Sequence, residues 1–522
     1  MTFKLTYSTM FDPPEEMHER FEGALAKVRE GLGVCHPNFI GGRNVMGKSH
    51  TTLHSPADQR QVLGHFARGT AEDAAAAMAA AKEAFPDWRA TPPRERIRLV
   101  RRVGELLEER AYDIGAAMAL EVGKNRMEAL GEAQETADFF SGYAREYEVR
   151  GFYELNNPDD PLVGFRSHNR SVLKPYGPWV VIAPFNFPLA LAGGPTAAAL
   201  VTGNTVVLKG ASVTPWSGRL LADCIQDAGL PPGVFNYVMG SGEVVGEALI
   251  QHSDRAGITF TGSQQVGMRI VRLMAAGEYP RPCIAEMGGK NPCIVTAKGD
   301  LQRAATGIIR SAFGMGGQKC SALSRVYVEE AVAEDLIASL RERIRAIKVG
   351  DPCRRENWLG PVITQAAVRE FEAYCERLKS GGARILEGGG RLLDGALVRG
   401  HFVAPTLAEA PAEHPLFREE MFLPILMVCR VKDLDEALRH SNDVALGLTA
   451  GFYGDDQEMK TFLERIEAGV LYLNRPQGAT TGAWPGYQAF GGWKGSGSTG
   501  KAIGSAYYLP QYLREQSHTW VE

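Results

Sequence analysis

Between Lys174 and Lys209 the sequence carries no charged residue, a run long enough to cross a bilayer as one helix. Its interior rules that use out. Pro175, Pro178, Pro184, Pro188 and Pro195, together with Asn186 and Gly203, interrupt every helix of spanning length. The run divides instead into a short apolar strand (Trp179–Ala183), a polar turn and a helix of small residues, which predicts the buried centre of an α/β fold.

The flanking pattern extends this reading. Residues 72–83 and 94–121 place apolar side chains three and four apart with charges opposite, predicting two surface helices. From Trp179 onward, β-branched runs (Trp179–Ala183, Thr205–Leu208, Val234–Val238, Ile258–Thr261) alternate with helical segments such as Pro215–Ala228 and Glu243–Gln251. Such alternation predicts a parallel sheet, whose ligands sit at the carboxyl ends of the strands. Pro184–Asn186, Lys209 and Gly262–Ser263 should therefore meet in one crevice. A second alternation from about 291 to 475, with strands near 293–296 and 325–329 and helices near 333–347 and 364–379, predicts a second α/β domain. The alternating segments 160–175 and 505–522 read as exposed strands, edges that a second subunit would cover.

Composition narrows the function classes. At 522 residues, 44% hydrophobic and 23% charged, the chain is of ordinary globular make-up and large enough for several domains. With 57 basic against 61 acidic side chains it has no basic excess for nucleic acid. The eight cysteines contain no C-x-x-C pair, and no His or Cys pair has ligand spacing, so reduced thiols and no metal are expected. Acids and prolines fill the first twenty positions, where a secretory signal needs a continuous apolar core; a cytoplasmic location is expected.

Three residues stand in contexts suited to chemistry. Cys320, in FGMGGQKCSALSR, follows a glycine-rich turn, and the neighbouring Lys319 would favour thiolate over thiol; a buried core cysteine is the alternative. Glu286, in CIAEMGGKNP, stands where a strand should end beside the crevice, and burial there would raise its pKa into the range of a general base; a salt bridge to Lys290 is the alternative. Asn186, in APFNFP, either donates its amide into the crevice or caps the following helix. FTGSQQVG at 260–267 is not the usual dinucleotide fingerprint, yet it follows a strand and opens a helix, so backbone N–H groups there with the Ser263 hydroxyl suit a pyrophosphate.

The segments APFNFP, VVLKG, FTGSQQVG, EMGGKNP, GGQKCS, REEMFLP and AFGGWKGSG occur in this order. As a set they closely resemble the aldehyde dehydrogenase superfamily, over nearly the whole chain from about residue 37. The resemblance implies a Rossmann-type NAD(P)-binding domain with an N-terminal helical region (1–158 and 176–288), an α/β catalytic domain (289–494) and a small β oligomerisation flap (159–175 and 495–522). It implies Cys320 as nucleophile, Asn186 with the Cys320 N–H as oxyanion hole, and Glu286 as activator of the deacylating water. It further implies Lys209 at the adenosine ribose, Gly262 and Ser263 at the pyrophosphate, and Glu420 and Phe422 at the nicotinamide ribose and ring. Leu423 departs from the usual glycine at its position and is expected to alter the nicotinamide end of the pocket. Ser212 stands where some relatives carry an acid that grips the ribose 2′-hydroxyl and repels a phosphate; a serine excludes neither cofactor, and the branch that the chain resembles implies NAD, with NADP possible.

The implied reaction is oxidation of an aldehyde to a carboxylate through a thioester on Cys320, and Glu286 favours hydrolysis over transfer to coenzyme A. The FGMGGQKCSALSR and TGAWPGYQAFGG segments resemble the branch acting on L-glutamate γ-semialdehyde. Thr481, Gly482 and Ala483 would then hold the substrate's α-amino and α-carboxylate groups, with Ser321 and Phe490 completing the pocket. The stretch Pro476–Thr480 looks about three residues longer than that branch has, so a displaced anchor and another semialdehyde or an aromatic aldehyde, stacked by Trp484 and Tyr487, is the alternative substrate class. A non-catalytic protein on this fold and a nucleotide-free esterase using Cys320 are the alternatives of other classes. The expected partners are a small aldehyde and further copies of the chain, with neither nucleic acid nor membrane.

Overall fold

The computed structural model describes residues 3–161 and 163–522. Two seven-stranded sheets carry the fold. In the first, Cys283–Glu286, Gly257–Thr261, Pro178–Ile182, Thr205–Lys209 and Phe235–Tyr237 run parallel in that spatial order, and Asn38–Ile40 and Arg43–Val45 add an antiparallel edge. Val180, Val181, Val206, Val207 and Leu208 are wholly buried, as strands covered on both faces must be. The charge-free run supplies two of these strands' worth of core: Pro178–Ile182 at its start and the approach to Thr205–Lys209 at its end, joined by the helix Ala190–Val201.

In the second sheet, Thr406–Glu409, Ile425–Val431, Leu323–Glu329, Asn291–Val295, Thr449–Tyr453 and Val470–Leu473 are parallel, with Arg384–Glu387 antiparallel at one edge. Helices Leu301–Phe313, Glu330–Arg345 and Gln365–Ser380 pack on it. A third sheet pairs Ser167–Pro175 with Leu513–Val521 and with Glu154–Asn157.

Three boundaries differ from expectation. The segment 94–121 is two helices, Pro93–Glu109 and Ala111–Val122, broken at Arg110, and the second is buried from Ile114 onward rather than lying at the surface. Glu154–Asn157, expected with the nucleotide-binding part, belongs to the flap sheet. Residues 496–498, expected in the flap, instead return to the first sheet: Ser496 Oγ donates to Gly288 O at 2.7 Å and Ser498 Oγ to Cys283 O at 2.9 Å. Periodicity marks an amphipathic helix well, but Ala- and Gly-rich helices bury a second face without leaving a signal.

The helix Arg126–Val149 shapes the site most. Asn125 caps it, accepting from Met127 N at 3.2 Å and Glu128 N at 3.0 Å. Its inner face carries Glu128, Glu132 and Glu135, spaced four and three apart and therefore aligned. Glu132 Oε1 accepts from Leu189 N at 2.8 Å and Ala190 N at 3.0 Å, closing the start of the helix Ala190–Val201. Glu121 does the same for the helix Pro215–Asp227, accepting from Trp216 N at 2.6 Å and Ser217 N at 3.0 Å. Two central helices are thus capped by carboxylates from elsewhere in the chain.

Candidate active site

The carboxyl ends of the first sheet open into a cleft of about 510 Å³. Its walls include Asn186, Lys209, Ser212, Gly262, Ser263, Glu420 and Phe422, so the expected crevice and the REEMFLP segment do converge. Lys209 is buried, has no ion-pair partner among the described residues, and burial lowers its amine to about 8. Such an ammonium suits the hydroxyls of a bound ligand. Ser263 caps the helix Gln264–Ala275, with its Oγ accepting from Val266 N at 3.4 Å, which turns that helix start toward the cleft. Ser212 is exposed at the rim and donates to Gly240 O at 3.2 Å. Glu420 is held by the Gly289 N–H at 2.8 Å, and burial raises its carboxyl to about 6. Phe422, in a left-handed backbone conformation (φ 55), packs edge-on against Phe185 at 5.9 Å. An unpaired cation, a held carboxylate and a helix N-terminus around one cleft fit a dinucleotide such as NAD.

A second, smaller pocket of about 80 Å³ lies behind this cleft. Ser321, Thr481, Gly482, Ala483 and Phe490 all line it, together with Glu135, Phe187, Arg310, Lys319 and Gln477. The N–H groups of Thr481 and Gly482 donate to no protein acceptor among the described residues. Gly482 holds φ at +115, where a side chain would also strike Arg475. Cys320 is the one residue that lines both cavities.

The Cys320 loop is fixed from several directions. Asn291 Nδ2 donates to Cys320 O at 2.7 Å and to Ala322 O at 2.8 Å, while its Oδ1 accepts from Thr449 N at 3.0 Å. Gln318, wholly buried, donates to Met315 O at 3.1 Å and accepts from Ile363 N at 2.9 Å. The glycines of the MGG turn are required by close approach: a Cβ at Gly288 would collide with Glu420, and one at Gly289 with Cys320 O.

Burial pushes the Cys320 thiol up to about 12, with the charges of Glu420 and Glu286 adding to the shift and the N–H groups of Ser321 and Cys320 opposing it. Lys319 does not activate this sulfur, contrary to expectation. Its Nζ turns away to an ion pair with buried Glu128 at 2.8 Å, and the paired charge is spent there. Glu286 makes no ion pair with Lys290 either. Lys290 Nζ is separately buried without a partner, and Glu286 Oε2 is a buried oxygen with no hydrogen bond to the protein. Burial raises the Glu286 carboxyl to about 8. The side chain lines neither cavity; it stands behind Cys320, near enough for its charge to act on the thiol. Asn186 is not the cap of the helix that follows, because Glu132 fills that role, and its amide is left on the cleft wall beside Cys320.

The aldehyde dehydrogenase family model matches residues 45–518. The chain belongs to the aldehyde dehydrogenase family. Among curated members of this family it is 38% identical over 510 residues to the 1-pyrroline-5-carboxylate dehydrogenase of Geobacillus sp. (strain WCH70), covering 95% of each chain. It is 36% identical over 502 residues to 1-pyrroline-5-carboxylate dehydrogenase 2 of Bacillus subtilis (strain 168), covering 94% of each. The fold superimposes on a 1-pyrroline-5-carboxylate dehydrogenase from Thermus with bound NAD at a TM-score of 0.92, with 35% identity, over 98% of this chain and 97% of that one.

Within this aldehyde dehydrogenase, the two departures noted in the sequence prove local. Leu423 points into the apolar core with Phe417 and Ile425 and lines neither cavity, so the nicotinamide end of the cleft is not rebuilt by it. The segment 476–480 does not hang over the entrance. Ala479 N donates to Gly307 O at 3.0 Å and Thr480 N to Ser311 Oγ at 3.1 Å, which seats it on the helix Leu301–Phe313, while Thr480 Oγ1 donates to Ser321 O at 2.7 Å. Of the two aromatic candidates, Trp484 lies in the pocket wall with its indole N–H on Asp138 at 2.7 Å, whereas Tyr487 is 72% exposed and outside it. Sequence reasoning missed Asn291, although it lies inside the quoted EMGGKNP segment, and Glu135, whose only signal was an acid in line with Glu128 and Glu132 on an Ala-rich helix.

Proposed function

We propose that this enzyme oxidises L-glutamate γ-semialdehyde to L-glutamate with NAD, through a thioester on Cys320. The observation that carries the reading is the position of Cys320 as the single residue common to a nucleotide-sized cleft and a small-molecule pocket. A thiol there can attack a carbonyl carbon from one side while a cofactor stands on the other. When bound in the cleft, NAD supplies the hydride acceptor.

Each protein group then has a part. The Cys320 thiol releases its proton to water as its sulfur bonds to the aldehyde carbon, and the carbonyl oxygen, now an oxyanion, would be held by the Asn186 amide and the Cys320 N–H. Loss of hydride from that carbon restores the carbonyl as a thioester. Glu286 takes a proton from a water that attacks the thioester and releases the carboxylate; its orphaned Oε2 is the kind of buried acceptor that a water satisfies. With NAD bound, Lys209 and Glu420 would hold ribose hydroxyls, Gly262 and Ser263 the pyrophosphate, and Phe422 the nicotinamide ring, all of them being residues of the cleft wall. Ser212 presents no carboxylate that would repel a 2′-phosphate, so NADP is a weaker alternative rather than an excluded one.

The substrate assignment rests on the far end of the pocket. Free N–H groups of Thr481 and Gly482 suit a carboxylate, and the Glu135 carboxyl, which burial raises to about 8, suits an ammonium that would ionise it. Ser321 lies beside the nucleophile and Phe490 along the substrate chain. The chain divides functionally into nucleotide-binding, catalytic and flap parts along the two seven-stranded sheets and the flap sheet. The flap sheet leaves Leu155 and Trp520 at the surface, an edge suited to a second subunit, and a homo-oligomer in the cytoplasm completes the proposal. Among the described residues no helix is long and apolar enough to cross a membrane.

NADH formation by the purified protein, with L-glutamate γ-semialdehyde, propanal, succinate semialdehyde and benzaldehyde compared, tests the reading. The first substrate should have the highest kcat/KM, and Cys320→Ala should lose at least about a thousandfold in kcat while still binding NAD. A higher kcat/KM for any other aldehyde overturns the substrate assignment, and near-normal turnover by Cys320→Ala overturns the mechanism.

A further inference from the structure

Residues 4–11 precede the first helix and lie outside the 45–518 stretch that matches the family model, yet Tyr7, Met10 and Phe11 form part of the wall of the aldehyde pocket. This strap is not loosely laid on. Thr6 and Thr9 close it into a compact turn: the Thr6 N–H donates to Thr9 Oγ1 at 2.8 Å and Met10 N to Thr6 O at 3.0 Å. Leu5 and Met10 are buried in the apolar core that contains the helix Arg126–Val149.

Three polar ties join the strap to the groups that define the far end of the pocket. Lys4 Nζ pairs with Asp138 at 2.8 Å, and Asp138 also accepts the Trp484 indole N–H at 2.7 Å. Arg475 donates to Ser8 Oγ with the same nitrogen that reaches Gly482 O at 3.3 Å, so strap and anchor turn share one guanidinium. Tyr7 Oη donates to Glu135 Oε2 at 2.6 Å, and its ring meets Trp484 edge-on at 5.1 Å. Beside it, the Arg310 guanidinium rests 3.7 Å from the centre of the Phe11 ring.

We infer that the strap is the specificity-determining wall of this pocket, with Tyr7 orienting the Glu135 carboxylate so that an aldehyde bearing an α-ammonium group is preferred over one without it. The inference rests on the proposed substrate and deepens it. A hydrogen bond to one carboxylate oxygen fixes the plane of the group and leaves the other oxygen for the ligand. Phe11 sets the width, because its ring is pinned beneath Arg310 and cannot swing aside without breaking that contact.

The test compares wild type, Tyr7→Phe and Phe11→Ala in kcat and KM for L-glutamate γ-semialdehyde, propanal and benzaldehyde, with the affinity for L-glutamate measured by calorimetry. Tyr7→Phe should lower the ratio of kcat/KM for L-glutamate γ-semialdehyde to that for propanal about tenfold, mainly through KM, and weaken L-glutamate binding by about the same factor. Phe11→Ala should raise the efficiency for benzaldehyde relative to L-glutamate γ-semialdehyde several-fold, roughly as removal of a packed ring from a pocket wall allows. If wild type prefers L-glutamate γ-semialdehyde and both ratios stay unchanged, the strap has no such role and the substrate assignment stands. If wild type shows no preference for it, both readings fall together.

Discussion

Substitution of Glu286 by glutamine isolates the group on which hydrolysis depends. The amide keeps the volume of the carboxyl and removes its proton-accepting form. Burial places the wild-type carboxyl at about 8, so about a tenth is ionised at pH 7 and about nine-tenths at pH 9. If water activation by Glu286 limits turnover, wild-type kcat should rise about tenfold over that interval and level off above it. The sign follows from the carboxyl's raised value: the base is absent below about 8 and present above it. Glu286→Gln should lose this dependence. Rapid mixing with aldehyde and NAD should show about one NADH formed per site, followed by turnover at least about a hundredfold slower than wild type. A flat wild-type profile between pH 7 and 9, or a variant turning over within a few-fold of wild type, would refute the assignment of Glu286 as the base.

Two other substitutions probe parts that the sequence did not announce. Glu132→Gln keeps an acceptor for the N–H groups of Leu189 and Ala190 but strands the buried Lys124 with which Glu132 is paired. The expected loss is about 3–5 kcal/mol of stability, read as a lower urea midpoint, and an unchanged midpoint would show that Lys124 finds another partner. Lys209→Met removes the unpaired ammonium from the cleft, and KM for NAD should rise about tenfold with kcat within a few-fold of wild type. An equal loss in kcat would place Lys209 in the chemical step instead.

Much of the architecture is written locally. The charge-free run with its prolines, the alternation of β-branched and helical segments, and the short segments around Asn186, Glu286 and Cys320 depend on neighbours a few residues away, and the structure brings those segments together as their positions at strand ends require. Electrostatics and pocket shape do not depend on near neighbours. Lys319 sits next to the nucleophile in sequence, yet its charge goes to Glu128, 191 positions away. Glu286 and Lys290 are four apart and unpaired, because the turn between them sends the two side chains into separate buried sites. The helix cap that is the alternative role for Asn186 comes from Glu132, and the pocket wall is completed by Tyr7 reaching Glu135 across 128 positions. A sequence determines by itself which residues have the chemistry for a role and which backbone elements carry them. Which charge meets which, which carboxyl is desolvated and what closes the pocket are decided by tertiary packing, since burial and Coulomb interactions depend on distance in space and on the loss of water rather than on position along the chain.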